Sequence, residues 1–532
     1  MKKVGGGLDL HLELRLEPGR PTGRGLEQAL REAIRSGRLA TGTRLPGTRS
    51  LAGDLGVARG TVVQVYSQLV AEGWLVGNPG AGTQVAAVNT AAAATAAAAA
   101  AAATIGAGTA ATAATGTAAT VTAATVTGTG ATGTGATGTA ATGPGVAGIA
   151  GIAGLAVGAS RPGPVSTGVL SLQAGRPDLS LFPRRMWAAS TRRVLAEAGN
   201  ESFDYPSPAG VPALRAAVAE YVARARGVHA TVEDVVITAG FSHGLALLAR
   251  MFRELGVDRV SMENPGLGRH RRLVQAAGLE VSPLAVDASG ADPDDVQGQV
   301  AVLTPAHQHP RGAVLAPERR MRFVEWARDG FVVEDDYDGE FRYDQQPVGA
   351  MQALAPDRVI FAGCASKSLA PGVRLGWLVV PPVLRKPLLN AIISTGSGVS
   401  SIEQLVMADL ITRGDYDRHI RKVRLEYRRR RTELADRVAA VWPYPLEGIA
   451  AGMHALLPLE SAAEEWRLID VAQYGGLSVH GLHTMGYWHT EDDSQPAALV
   501  LGYATPPPHA WRTALDRLAE LLQATNPERH DG

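Results

Sequence analysis

The sequence lacks the features that mark secreted and membrane proteins. Its one cysteine, Cys364, excludes a framework of intrachain disulfides and fits a reducing compartment. The first residues include two lysines but no continuous apolar run behind them, which argues against a signal peptide. The most apolar stretch, residues 145–159, is short for a membrane span of about 20 residues. We therefore expect a cytoplasmic protein.

The chain also lacks a net charge, because 51 basic residues (Lys and Arg) balance 51 acidic ones. A general attraction to polyanions is thereby excluded, and any nucleic-acid-binding surface must be local. At 532 residues the chain is too long for one ordinary hydrophobic core, so two or more domains are expected.

A long tract without a single charged residue divides the chain. Residues 86–160 are almost entirely alanine, threonine and glycine with a few aliphatic residues. Such a tract cannot bury enough apolar area to offset its conformational entropy, which is typical of a linker. The composition predicts an N-terminal domain at 10–86, a linker at 87–165 and a C-terminal domain at 166–526.

The N-terminal domain shows the element order of a winged helix-turn-helix: helix, helix, turn, helix and hairpin. The first helix is predicted over 26–37, the second at TRSLAGDLG and the third in VARGTVVQVYSQLVAEGWL, with a two-stranded wing turning at NPGAG. Apolar residues recur at helical spacing and are predicted to form the core: Leu26, Leu30, Ile34, Leu51, Leu55, Val62, Tyr66 and Leu69.

Four residues of this domain are predicted to face DNA. In a winged helix-turn-helix the start of the third helix enters the major groove, so Arg59 can reach a base edge or phosphate and Thr61 a phosphate. Arg49 begins the second helix, which crosses the DNA backbone, and Arg44 lies just before it. Residues 20–85 hold eight arginines against four acidic residues. Any one of these arginines alone would suit a solvated surface, but their ordered arrangement favours DNA binding.

The C-terminal domain alternates short apolar runs with helical patterns, which predicts a mostly parallel sheet with crossover helices. The predicted strands are VVIT, RVSME, VAVLTP, FVVEDD, RVIFAG and RLGWLVVP. Ligands of such sheets bind at the carboxyl ends of the strands.

Polar residues cluster at these predicted strand ends. The strand FVVEDD is followed by Tyr337 and ends in three carboxylates, Glu334, Asp335 and Asp336. A carboxylate at a buried strand end can hold a pyridine nitrogen protonated, which makes the ring an electron sink. Lys367 follows the next strand in an apolar, hydroxyl-rich setting suited to a lowered pKa and Schiff-base formation. Arg374 can clamp a phosphate, and the glycine-containing helix start after VVIT offers free backbone N–H groups. Each feature alone is weak evidence for a site that binds an aldehyde cofactor, but together and in this order they are strong evidence for one.

Both domains resemble known families. The segment from RSGRLATGTRLPGTRS to LVAEGWL is similar to the DNA reader of the GntR superfamily. The segments YPSPAGVPALRAAVAEYVARARGV, TPAHQHPRG, EDDYDGEFRY and ASKSLAPGVRLGW resemble fold-type I pyridoxal-phosphate enzymes of the aspartate aminotransferase superfamily. Together they resemble the MocR/GabR regulators, over 21–86 and about 168–525.

The resemblance implies a role for each matched residue. It places Arg49, Arg59, Thr61 and Gly80 of the wing at DNA contacts. It implies a Schiff base between pyridoxal 5'-phosphate and Lys367, with Asp335 on the pyridine nitrogen and Tyr337 on the phenolic oxygen. The phosphate contacts it implies are Arg374, Ser366 and the amides around Phe241 and Ser242. Tyr205 matches a tyrosine that reaches the partner subunit's phosphate, so a head-to-tail homodimer is implied.

Several positions depart from the family pattern. Leu267 stands where a ring-stacking tyrosine is usual, although Arg269 is kept as a candidate effector-binding residue. Cys364 replaces a serine, and His309 replaces the asparagine of Asn-Pro-x-Gly. The segment ALVLGYATPP lacks the arginine that clamps the carboxylate of amino-acid substrates, and the wing turn has lost its positive charge.

Other features are given simpler interpretations. The pair His307 and His309 is not favoured as a metal site, because no carboxylate or third histidine stands nearby in sequence. A redox switch at Cys364 is likewise not favoured, and no metal is expected. The basic run at 421–434 is interpreted as a solvated helix.

Three functions remain open from the sequence. The first is a regulator whose DNA affinity responds to pyridoxal phosphate, as in vitamin B6 control, or to an amine effector bound to it. The second is a working aminotransferase with a DNA-binding module, and the third is a DNA-binding protein whose second domain only dimerises it. The intact reader argues against the second, and the set of cofactor residues argues against the third. The missing stacking tyrosine and clamping arginine favour sensing over steady transamination.

Overall fold

The computed structural model describes residues 22–86 and 169–525, apart from short gaps at 36–38, 40–41, 56, 72–73, 79–81, 344–348, 491 and 493. The predicted linker at 87–165 and the predicted DNA contact Gly80 lie outside the described residues.

The N-terminal region has the predicted order of elements. Its helices are α1 (Thr22–Arg35), α2 (Thr48–Leu55) and α3 (Arg59–Ala71), and its strands are β1 (Leu75–Asn78) and β2 (Gly82–Val85). Helix α1 begins four residues earlier than predicted, because its first turn is polar and carries no apolar periodicity. The strands pair antiparallel as the predicted wing.

The core of this region contains seven of the eight predicted apolar residues, while the side chain of the eighth, Leu55, lies outside the described part of the chain. Helices α1 and α2 both pack on α3. The buried residues include Leu26, Leu30, Ile34, Leu51, Val62, Tyr66, Leu69 and Trp74. Burying an aliphatic side chain such as Leu30 contributes about 1.5–3 kcal/mol. The Tyr66 hydroxyl donates a hydrogen bond of 2.9 Å to the carbonyl oxygen of Pro46, which ties α3 to the segment before α2.

The C-terminal region is built on an eight-stranded sheet of order β4-β11-β10-β9-β8-β5-β6-β7. Its strands are β4 (Val235–Thr238), β5 (Arg259–Asn264), β6 (Glu280–Asp287), β7 (Gly290–Ala291), β8 (Val300–Leu303), β9 (Phe331–Asp336), β10 (Val359–Cys364) and β11 (Gly376–Val379). The five strands from β10 to β6 are parallel, and β11 runs antiparallel to β10 and β4. All six predicted strands are present, so the prediction of a mostly parallel sheet is confirmed.

Helices flank this sheet and connect its strands. They are α4 (Arg184–Glu197), α5 (Pro212–Arg226), α6 (Phe241–Glu254), α7 (Gly268–Ala276), α8 (Pro317–Trp326), α9 (Pro382–Thr395) and α10 (Ser401–Thr412). The basic run at 421–434 lies within α11 (Asp415–Ala439), which exposes three of its six arginines but buries Arg430.

A smaller antiparallel sheet, of order β12-β15-β14, follows in the chain. Its strands are β12 (His454–Leu459), β14 (His480–Gly481) and β15 (Ala497–Gly502), and its helices are α12 (Ala462–Tyr474) and α13 (Pro508–Thr525). A separate short pair joins β3 (Leu170–Ser171) and β13 (Leu477–Ser478) in parallel. His454, the first residue of β12, pairs with Gly502 at the end of β15.

The sheet order brings several loops to one edge. In the parallel register Asp335 lies beside Ala362, and Leu303 lies beside Glu334. The loops that follow β8, β9 and β10 therefore leave the sheet side by side. Because β11 is antiparallel, its first residue Gly376 meets the last residues of β4 and β10 at the same edge. Among the described helices none is long and apolar enough to cross a membrane.

Candidate functional site

Lys367 lies three residues beyond β10, in a half-buried position. Its Nζ donates a hydrogen bond of 2.5 Å to the carbonyl oxygen of Gly175. Burial lowers the pKa of the Lys367 amine below its ordinary value, and the charge of Arg269 adds to that effect. A lowered pKa increases the fraction of unprotonated amine, which is the form that attacks a carbonyl carbon.

Asp335 is a buried carboxyl near the end of β9, and only 7% of its surface is exposed. Its Oδ1 has no hydrogen-bond partner among the described residues. Burial raises the pKa of Asp335 well above its ordinary value, and the neighbouring Asp336 raises it further. A buried carboxyl oxygen without a partner is costly, so this atom indicates a place for a ligand N–H group.

A second ligand-binding feature forms where β4, β10 and β11 meet. Gly240 has a φ of +89° and immediately precedes α6. A Cβ built on Gly240 would lie 3.8 Å from Oγ of Ser366 and 3.9 Å from Nη1 of Arg374. A hydroxyl, a guanidinium and a helix N-terminus therefore surround one small space, and all three favour an anion. We call Gly240, Ser366, Arg374 and the start of α6 the anion cradle.

A cavity of about 660 Å³ opens beside the anion cradle. Its lining includes Arg374 and Ala239 but neither Lys367 nor Asp335, so it reaches the cradle side only. Phe241 and Ser242 are the first residues of α6, as the sequence predicts for backbone amides that hold a phosphate. The Ser242 hydroxyl lies 3.2 Å from Nε2 of His270.

Tyr337 belongs to a hydrogen-bonded chain at the end of β9. Its hydroxyl lies 3.0 Å from Nδ1 of His307, and the same nitrogen lies 2.9 Å from Oδ2 of Asp338. Burial raises the pKa of Tyr337 well above its ordinary value, so the phenol keeps its proton. A protonated phenol can donate to the phenolic oxygen of a ligand.

Histidines line the rest of the site. His309 lies 3.2 Å from the Tyr487 hydroxyl through Nε2, while its Nδ1 has no partner among the described residues. Burial lowers the pKa of His309 well below its ordinary value and that of His270 to about 3, so both rings are neutral at pH 7. Sequence reasoning missed His270, Tyr487 and Gly175, whose contacts join segments far apart in the chain.

The remaining predicted residues lie away from this group or at its rim. Arg269 is exposed, and its positive charge contributes to the lowered pKa of Lys367 and of His309. Leu267, which replaces the usual tyrosine, packs half-buried against the apolar cluster around Tyr487. Tyr205 is 98% exposed.

The predicted DNA contacts occupy the expected elements. Arg59 begins α3 and is exposed, while Thr61, two residues further, is half-buried. Arg49 is exposed in the first turn of α2, and Arg44 is exposed and bridges to Gln84 of the wing.

The geometry fits pyridoxal phosphate. The ring nitrogen of this cofactor needs an acceptor, which the unpartnered Asp335 oxygen provides. Its phosphate needs N–H and cationic donors, which the anion cradle provides. Its aldehyde needs an amine, which Lys367 provides. Lys367 lies on the loop after β10, and β10 pairs with β9, the strand that carries Asp335.

Comparison with known proteins matches both regions to families. Residues 22–85 match the gntR family of bacterial regulatory proteins, and residues 167–479 match aminotransferase class I and II. The chain is 30% identical over 515 residues to the probable rhizopine catabolism regulatory protein MocR of Rhizobium meliloti, covering 95% of this chain and 94% of that protein. It is 29% identical over 518 residues to the HTH-type pyridoxine biosynthesis transcriptional regulator PdxR of Corynebacterium glutamicum, covering 96% and 98%.

Solved structures share the fold of the C-terminal region. An archaeal alanine:glyoxylate aminotransferase aligns with a TM-score of 0.62 and 24% identity over 68% of this chain and 92% of that chain. A Pyrococcus horikoshii kynurenine aminotransferase aligns with a TM-score of 0.60 and 22% identity.

Proposed function

Because this chain belongs to the MocR type of transcription regulators, with a gntR-family reader and an aminotransferase class I and II domain, we propose that it binds pyridoxal 5'-phosphate and that this binding controls its affinity for operator DNA. The observation that supports this most is the unpartnered oxygen of buried Asp335, which lies on the strand beside the one that leads to Lys367. A carboxyl in that state suits a protonated pyridine nitrogen.

Each predicted residue has a task in this proposal. Lys367 attaches the aldehyde covalently, and Asp335 accepts the hydrogen bond of the ring nitrogen. Tyr337 donates to the phenolic oxygen of the cofactor. The phosphate is held by Arg374, Ser366 and the backbone amides of Phe241 and Ser242. When bound, the cofactor supplies an aldehyde carbon to which primary amines add.

On the DNA side, Arg59 and Thr61 enter the major groove while Arg49 and Arg44 contact the backbone. Gly80 of the wing approaches the backbone as well. Two readers are needed for a two-fold operator, and a head-to-tail homodimer provides them. The fully exposed ring of Tyr205 is free to reach the phosphate of the partner subunit in that dimer.

The signal in this proposal is pyridoxal phosphate itself or an amine bound to it, with Arg269 at the rim as an effector contact. Either ligand acts only if it stabilises one arrangement of the dimer over another. The kinship with PdxR supports a link to vitamin B6. An active aminotransferase with a DNA-binding module is the alternative, and the missing carboxylate-clamping arginine weighs against it.

Cofactor binding is tested by titrating pyridoxal phosphate into the full-length protein and following the visible absorbance of the attached aldehyde. We expect saturation at one cofactor per chain for the wild type and no attached form for Lys367→Ala. Lys386→Ala is the matched control, because Lys386 is exposed on α9 outside the site. Equal spectra for both alanine variants would refute attachment at Lys367.

A further inference from the structure

Two histidines and a carboxylate meet in a buried cluster that sequence spacing did not indicate. His307 lies in the loop after β8, Asp338 in the loop after β9, and His454 begins β12. Each offers one ligand atom, and the three atoms lie within 4.8 Å of one another. All three side chains are at least nine-tenths buried. The sequence argued against a metal pair because no third histidine or carboxylate stands nearby in the chain. The fold brings both to His307, as His454 and Asp338.

The hydrogen bonds of the cluster leave ring nitrogens unused. His307 contacts Asp338 through Nδ1 at 2.9 Å, while its buried Nε2 has no partner among the described residues. His454 donates from Nε2 to the carbonyl oxygen of Pro310 at 3.0 Å, which leaves Nδ1 as the nitrogen with an available lone pair. The ring of His309 lies 4.7 Å from that of His454, and its Nδ1 is also without a partner.

Buried polar atoms that lie close together without a full set of partners require an explanation, and an ion held by His307, Asp338 and His454 is one explanation for this cluster. Imidazole nitrogen favours zinc, copper, iron and nickel over magnesium and calcium. Two histidines with one carboxylate form a common three-ligand zinc site, in which the fourth position stays open for water or a ligand. The hydrogen bond from His454 to a backbone carbonyl is the outer contact that typically orients a metal-binding histidine.

The backbone at Gly452 lies very close to the cluster. Gly452 has a φ of +72°, and a Cβ there would lie 2.1 Å from Cε1 of His307 and 2.6 Å from Oδ2 of Asp338. Only glycine lets this loop approach so closely. Tyr337 contacts the cluster directly through His307, so the cluster lies next to the proposed cofactor site.

From this arrangement we propose that His307, Asp338 and His454 bind a divalent transition-metal ion of the zinc type. The ion joins two loops at the edge of the large sheet to the first strand of the small one. This site does not depend on the cofactor, so its failure would leave the proposed function intact.

The test is a metal titration of the untagged full-length protein after removal of metals by a chelator. Zn²⁺ binding is measured by calorimetry for the wild type and for His454→Gln and Asp338→Asn. We expect one ion per chain for the wild type and an affinity weaker by about 10- to 100-fold or more in each variant. His419→Gln is the matched control, because His419 is buried and bonds the carbonyl oxygen of Ser368 at 2.8 Å but lies outside the cluster. It should bind Zn²⁺ as the wild type does.

A second measurement needs no variant, in case the substitutions disturb folding. Co²⁺ added to the wild type should give the intense visible absorption of a four-coordinate site, and Zn²⁺ should remove it by competition. The proposal is overturned if no stoichiometric binding occurs. It is also overturned if binding persists equally in folded His454→Gln and Asp338→Asn. Either result would leave the histidines as hydrogen-bonding support for Tyr337.

Discussion

The variant Asp335→Asn should separate two effects of the buried carboxyl: the stability that it costs the cofactor-free protein and the affinity that it adds for the cofactor. The pKa of Asp335 in the folded protein is raised well above its ordinary value, mainly by burial. The folded state therefore binds a proton more tightly than the unfolded state does. By linkage the wild type loses stability as pH rises above about 3.9, the ordinary value of an aspartate, until the raised folded pKa is passed.

Asparagine carries no titrating group, so the cofactor-free variant should gain stability relative to the wild type across that pH window. The opposite is expected for the cofactor. A hydrogen bond to a charged group contributes about 1.5–3 kcal/mol, so its loss should weaken pyridoxal phosphate binding by roughly 10- to 100-fold. Chemical denaturation at a series of pH values gives the first quantity, and an absorbance titration gives the second.

Asp336→Asn is the matched control on the same strand. Asp336 is equally buried but forms a two-bond ion pair with Arg226, at 2.6 and 2.8 Å. Removing one partner of a buried pair should cost about 3–5 kcal/mol. The reasoning is refuted if Asp335→Asn destabilises the cofactor-free protein as much as Asp336→Asn does, or if it leaves cofactor affinity unchanged.

Three further predictions test other parts of the site. Gly240→Ala should weaken cofactor binding at least about tenfold, since its Cβ would occupy the anion cradle. Gly256→Ala is the control, because Gly256 has the same kind of positive φ but open space around it. That variant should lose only the stability that corresponds to backbone strain, about 1–2 kcal/mol. Arg59→Ala should weaken DNA binding by about 1–3 kcal/mol or lower the salt dependence by about one ion, whereas Arg512→Ala in α13 should change neither. Burial raises the pKa of Glu263 to about 7, so this carboxyl should lower the stability of the wild type as pH rises from about 4.3 to 7. Glu263→Gln should remove that decrease.

Each of these has a clear contradicting result. Equal effects of Gly240→Ala and Gly256→Ala on cofactor affinity would show that the anion cradle does not hold the phosphate. DNA affinity and salt dependence that are both unchanged by Arg59→Ala would show that Arg59 does not contact DNA. Parallel stability curves for the wild type and Glu263→Gln would show that this carboxyl does not titrate in the folded protein.

Local pattern was sufficient to predict most elements of both regions. Leu26, Leu30 and Ile34 mark α1 because apolar residues at helical spacing must share one face, and the six apolar runs mark strands because buried parallel strands are apolar throughout. Strand β6 was not predicted, because it exposes alternate residues and contains Pro283.

The candidate site could be predicted only where its residues follow strands in order. Asp335 and Lys367 were found because Asp335 lies at the end of one apolar run and Lys367 lies shortly after the next. The contact of Lys367 with Gly175 joins positions 192 residues apart, and no local pattern reveals it. The same holds for His454, which meets His307 only because β12 of the small sheet lies against the edge of the large one.

The most direct test of the central claim is the affinity of the full-length protein for the DNA upstream of its own gene, measured by fluorescence anisotropy at one fixed salt concentration. Wild type and Lys367→Ala are compared without ligand, with pyridoxal phosphate, and with pyridoxal phosphate plus a panel of primary amines. We predict that at least one of these additions shifts the Kd of the wild type and leaves that of Lys367→Ala unchanged. A wild-type Kd that no addition shifts, or an equal shift in both proteins, would contradict the claim that a ligand attached at Lys367 controls DNA binding.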